Sequence, residues 1–200
     1  MLKDEIELDE TYVLKSHKGK HFDHIKGRKR GGSSSYRGLS RDQVCILTGV
    51  ERFNGNRRYA LSYAHSFNMA KPSSENILNL KEHIENGSFI WTDGLASYNE
   101  LIRETRCHHK TLLTTKEYDK VNHLNNVNYF HSRIQSQYRV YRGVSTKYIN
   151  RYCSLFSIQK QYTGSDDNEV VVLLMNRLRY ISDTFYIRQI SNCDVFDVMY

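Results

Sequence analysis

A chain of 200 residues with 39% apolar content is long enough for one domain with a proper core, and its longest apolar run, Val170 to Met175, is too short to span a bilayer. No positively charged start leads into an apolar stretch, so neither a signal peptide nor a membrane anchor is expected, and the chain reads as soluble and cytoplasmic. The net charge of +7 is concentrated: nine basic residues lie between Lys15 and Arg41 against one acid, Asp23, so this segment carries +8 and the rest of the chain about −1. Such a run points to a polyanion partner. Five glycines and Tyr36 in the same stretch would let it wrap a backbone and stack on a base, whereas a solvated loop is the plain alternative. Cys45, Cys107, Cys153 and Cys193 show no C-x-x-C spacing, and reduced, buried thiols are expected rather than a zinc knuckle or a disulfide framework.

In chain order, Glu5 to Leu14 alternates, with Ile6, Leu8, Tyr12 and Leu14 on one side and Glu7, Asp9 and Thr11 on the other, predicting a strand with an apolar and a polar face. Beyond the basic segment, Gln43 to Glu51 and Arg58 to Ser66 flank an Asn54-Gly55-Asn56 turn, so the three strands would form an antiparallel meander. A helix is expected from Pro72 to about Asn86-Gly87, followed by a short strand, Ser88 to Thr92, that delivers Asp93 at its end. Gly94 to Glu104 reads as a helix and Cys107 to Leu113 as a fifth strand. A long helix follows from about Leu124 to Tyr141, then another from Ser145 to Gln159 and a helical candidate from Asp167 to Ile181. This predicts an α/β fold, a mixed five-stranded sheet flanked by helices, in the order that an RNase H-like sheet requires, although other α/β folds would accept it.

Asp9 mid-strand, Asp93 at a strand end and Asn128 in the first turns of the long helix would bring oxygen donors from three separate elements. Magnesium takes oxygen donors of this kind, and two such ions can serve the attacking and leaving oxygens of a phosphodiester displacement. Asp93 before Gly94 also suits a turn or cap, and Asn128 alone would pass for an ordinary helix residue. Zinc on His108, His109 and His123 finds no support in cysteine spacing.

The runs ELDETYV around Asp9, KGRKRGGSSSYRGLSRDQVCILTGVER, IWTDGLASY around Asp93 and HLNNVN at His123 to Asn128 followed by YFHSRIQ, in this order and spacing, resemble bacterial insertion-sequence transposases with the ISXO-type DDE domain. YRGVSTKYINRYCSLF is similar to that family's closing helix, and the resemblance covers about Glu7 to Phe156. It implies an RNase H-like catalytic domain over residues 1–160, with a basic insertion at 15–41, and leaves 161–200 as a helical appendage. It also implies metal coordination by Asp9, Asp93 and Asn128, with two Mg2+ ions or Mn2+ in their place. Asn128 stands where the family usually has glutamate; some members carry asparagine. An uncharged donor holds the second ion more weakly.

The implied DNA-facing set is Lys26, Arg28, Lys29, Arg30, Arg37 and Arg41 in the basic segment, with His123, Asn125, His131, Arg133, Gln135 and Arg139 around the long helix. At Gln135 the family often has a lysine. The partners implied are element ends and target DNA, bound by a homo-oligomer at the nucleoid. Related transposases carry a zinc ribbon ahead of the first aspartate, and here only eight residues precede Asp9. Asp9 and Asp93 favour a strand-transferring enzyme or a nuclease on the same fold, while Asn128, Gln135 and the short N-terminus favour a remnant that only binds DNA.

Overall fold

Strand β1 (Glu5–Leu14) is the middle strand of a sheet ordered β3-β2-β1-β4-β5 in this computed structural model. The structure describes residues 1–19, 34, 42–52, 60–65, 71–114 and 117–161, with positions 166, 168, 171, 172 and 175. On one side of β1, strand β2 (Gln43–Glu51) and then β3 (Ala60–His65) add antiparallel, giving the meander expected from the alternating segments. On the other side, β4 (Phe89–Thr92) and β5 (His108–Thr111) add in parallel. Parallel neighbours need crossovers. Helix α1 (Ser74–Leu78) lies in the connection before β4, and α2 (Tyr98–Thr105) joins β4 to β5. Helices α3 (Asn125–Val140) and α4 (Ile149–Gln161) follow the sheet.

Two apolar cores result, one on each face of the sheet. Ile6, Leu8, Cys45 and Leu47 pack with Ile77, Leu80, Tyr98 and Leu101 from the α1 and α2 side. Val13, Val44, Ile46 and Val50 pack with Val127, Phe130, Ile134 and Phe156 from α3 and α4. The polar face expected of β1 is therefore not a solvent face: Glu7 and Thr11 are buried beneath α3, because a sheet carrying parallel crossovers is covered on both sides.

The helix expected from Pro72 to Asn86 is shorter than its apolar pattern suggests. Ser73 caps α1 through a reciprocal capping box with Asn76, but the α-helix stops at Leu78 and a 3-10 turn, Lys81–His83, follows. Ile84 is drawn instead into a parallel bridge with Leu2, and the Leu2 N–H donates to the His83 carbonyl at 2.7 Å. Cys45, Cys107 and Cys153 are buried free thiols. Among the described residues no helix is long and apolar enough to cross a membrane. Positions 168, 171, 172 and 175 are helical, and most of the remaining tail, with most of the 15–41 segment, lies outside the described residues.

Candidate metal centre

Strand register brings the two aspartates together. β1 and β4 pair in parallel with Ile6 beside Ile90 and Glu7 beside Trp91, so two residues further on Asp9 is level with Asp93, just past the end of β4 at Thr92. With no strand there to separate the faces of β1, Glu10 reaches the same place although alternation points it away from Asp9. Carboxylate oxygens of Asp9, Glu10 and Asp93 lie within 4.8 Å of one another.

Each of the three is held differently. Asp9 accepts the Glu10 N–H on Oδ1 at 2.8 Å. Burial, with the Asp93 charge adding to it and the Glu10 amide opposing, pushes its carboxyl from the ordinary 3.8 to about 7. Glu10 accepts the Tyr98 hydroxyl on Oε1 at 2.5 Å, with Tyr98 fully buried in the α2 core. Its carboxyl is also pushed to about 7, chiefly by burial, with the Tyr98 bond opposing and the charges of Asp9 and Asp93 adding to it. Asp93 is exposed, and its Oδ1 accepts the Leu95 N–H at 3.2 Å, the turn role weighed from sequence. Three carboxylates crowded at such distances offer hard oxygen donors and a surplus of negative charge, which fits a magnesium-like ion.

Helix α3 closes the other side. His131 Nδ1 is 3.8 Å from Asp9 Oδ2, and its Nε2 is 2.6 Å from the Thr48 hydroxyl. Thr48 donates its only hydroxyl proton to the Asp9 carbonyl at 2.8 Å, so His131 Nε2 must carry the proton that the hydroxyl oxygen accepts. The lone pair on Nδ1 then faces Asp9. Burial lowers the His131 pKa to about 4, which keeps the ring neutral. A second histidine-threonine pair stands behind Asp93: His109 Nε2 is 2.9 Å from the Thr92 hydroxyl, which accepts the Gly94 N–H at 3.3 Å.

Asn128 is one helical turn before His131 and exposed; its backbone carbonyl accepts the Ser132 hydroxyl at 3.1 Å. Gln135, one turn beyond His131, donates from Nε2 to Thr11 Oγ1 at 3.1 Å and to the Tyr12 carbonyl at 2.9 Å, so it is engaged with β1. His123 Nδ1 lies 3.3 Å from Glu7 Oε1 and 3.3 Å from the Asn125 N–H. Asn125, Arg133 and Arg139 are exposed. Lys26, Arg28, Lys29, Arg30, Arg37 and Arg41 lie outside the described residues.

Sequence reasoning missed Glu10, Tyr98, Thr48, Glu7 and Arg52. Glu10 adjoins Asp9 in the ELDETYV run, and an acid on the otherwise apolar Ile6-Leu8-Tyr12 face was the available signal.

Comparison with protein-family profiles matches residues 1–179 to the ISXO2-like transposase domain. The chain belongs to that family. Transposition of insertion sequences, a form of DNA recombination, is thus the process to which this domain belongs. No curated protein and no solved structure matches the chain. The transposase match extends past α4, to residue 179, and so includes both walls of the acidic site.

Proposed function

We propose that this transposase domain cleaves and joins DNA strands at a divalent-metal site held by Asp9, Asp93 and Asn128, with Glu10 as a third acidic group beside them. The observation that carries the reading is the convergence of the Asp9, Glu10 and Asp93 carboxylates within 4.8 Å. An antiparallel meander followed by two parallel strands, with helices on both faces, supports an RNase H-like reading of the fold. Magnesium or manganese would supply Lewis-acid charge at the attacking and leaving oxygens of the phosphodiester.

The chain's own groups supply the rest. Asp9, on the middle strand, and Asp93, at an open strand end, offer donors from two directions, and the exposure of Asp93 leaves room for a phosphate. Asn128 offers a neutral carbonyl from α3. The neutral His131 fixes the wall behind Asp9 through Thr48.

The test is cleavage of plasmid DNA and joining of pre-cleaved oligonucleotide ends in Mg2+ and in Mn2+, with Asp9→Asn and Asp93→Asn alongside. Both products in the parent, and a loss of about 100-fold or more in each variant, are expected. Asn128→Glu restores a charged donor and should hold or tighten Mn2+ binding, whereas Asn128→Ala weakens it. A second reading, a domain that binds DNA without cutting it, is favoured by the neutral Asn128 and by Gln135 being turned onto β1. DNA binding with no product in either metal would establish that reading. Cleavage without joining would mark a nuclease.

A further inference from the structure

A buried ionic hub lies one step along β1 from the acidic site. Glu7 is completely buried, yet its carboxylate is fully occupied: Oε2 accepts the backbone N–H groups of Asn126 and Val127 at 2.9 and 3.0 Å, and Oε1 accepts Asn126 Nδ2 at 2.8 Å and Arg52 Nε at 2.9 Å. These backbone amides belong to the first turn of α3, whose N-cap, Leu124, has no side chain able to cap it. Glu7 thus caps a helix from a different strand. A carboxylate is also the favoured charge at that end of a helix dipole.

Arg52 completes the hold from the other side. Its guanidinium donates to the carbonyls of Val121 and His123 in the segment leading into α3, with 2.8 Å to Val121, and its Cζ lies over the buried Trp91 ring, 3.9 Å from the centroid. Glu7 takes the amides of the helix start while Arg52 takes the carbonyls just before it, so the chain entering α3 is gripped on both polarities. Glu7 is two residues from Asp9 on the same face of β1, and Asn128 directly follows the Val127 amide that Glu7 holds.

We propose that Glu7 and Arg52 are positioning residues of the metal site: their clamp on the N-terminus of α3 sets where Asn128 and His131 stand against Asp9. The inference rests on the metal-site reading above. Among the described residues no hydrogen bond or ion pair joins Glu7 or Arg52 to Asp9, Glu10 or Asp93, and the proposed route is through α3.

The experiment is a double-mutant cycle on the full chain, read as Mn2+ affinity by calorimetry and as kcat and KM for plasmid cleavage. Glu7→Gln preserves shape but turns an amide N–H toward Arg52; Arg52→Lys keeps the charge and loses the fork, and serves if Glu7→Gln does not fold. Each should weaken Mn2+ binding about tenfold in the parent, the scale of groups that orient metal ligands, and should weaken it no further in the Asn128→Ala background. kcat should fall while KM for DNA holds. Equal weakening with and without Asn128, or no weakening in the parent, overturns the inference alone. An Asn128→Ala variant that itself binds Mn2+ like the parent overturns the third-ligand reading and the inference with it, even if Asp9 and Asp93 still bind the ion.

Discussion

In the proposed metal site, folding and chemistry make opposite demands on Asp9. Its side chain is 17% exposed and faces the Asp93 charge, so ionising it costs the fold, whereas a metal ligand must be ionised. The sign of the resulting pH dependence follows directly. Unfolded, the carboxyl loses its proton near 3.8; folded, it keeps it up to about 7, so between these values the folded state binds more protons and stability falls as pH rises. Asp9→Asn has no such loss. With a chelator present, the variant should therefore gain on the parent as pH rises from about 4 to 8, reaching a few kcal/mol at about 1.4 kcal/mol per pKa unit. Thermal melts of both proteins at pH 5 and pH 8 measure this. A stability gap that does not change with pH would show that Asp9 ionises freely. Adding Mn2+ to the parent should remove most of the high-pH penalty, since the ion replaces the proton as the neutralising charge.

At the scale of elements, the ends of strands and helices matter more than their middles. The turn after β4 depends on Gly94, whose φ of +97° belongs to glycine, and where an added Cβ would come within 2.5 Å of Leu113 Cδ2 and 2.9 Å of Thr111 Cγ2. Gly94→Ala should cost about 1–3 kcal/mol in urea unfolding and swing Asp93 away from Asp9, weakening Mn2+ binding with it. Full stability and parent-like Mn2+ affinity together would mean the turn tolerates a side chain. Helix α3 is held at both ends by charges that suit its dipole: Glu7 at the start, and at the finish the Lys18 ammonium, 3.3 Å from the carbonyls of Tyr141 and Gly143. The periodicities that predict β1, β2, β4 and α3 are local, which is why those elements are legible from the sequence, whereas the approach of Asp9 to Asp93 depends on the non-local pairing of β1 with β4 and is expected from the chemistry and the family resemblance alone. What covers a face is not local. Alternation assigns Glu7 to the side of Asp9 but says nothing of the helix, over a hundred residues later, that buries it. Ile84 looks helical until Leu2, from the chain's start, claims it. Alternation places Glu10 correctly on the Ile6-Leu8 face, where it meets Tyr98, but misses that its carboxylate also comes near Asp9 and Asp93, because β4 ends before it and leaves that edge of β1 open.

Over the whole chain, the positive charge is concentrated in one segment rather than spread evenly. The segment carrying +8 leaves the sheet at the end of β1 and returns at the start of β2, and the two ends are tied by the Lys15 N–H donating to the Asp42 carbonyl at 2.7 Å. Lys15 is six residues beyond Asp9, roughly 20 Å at 3.3 Å per residue, so, on the proposed function, the segment begins within reach of a DNA backbone bound at the acidic cluster. We expect this segment to be the main non-specific DNA contact of the domain. Each neutralised phosphate contributes about −0.9 to the slope of log K against log salt. Deleting Lys26 to Arg30 removes four cations and should flatten the slope by up to about 3.6. Because the deletion lies between strand ends that are paired independently through Leu14 and Gln43, the melting temperature should stay close to the parent's. DNA binding by anisotropy at several salt concentrations, with melts alongside, decides the matter. An unchanged slope in a folded deletion variant would move the DNA contact to the exposed Arg133 and Arg139 on α3, and their replacement by glutamine would then have to flatten it.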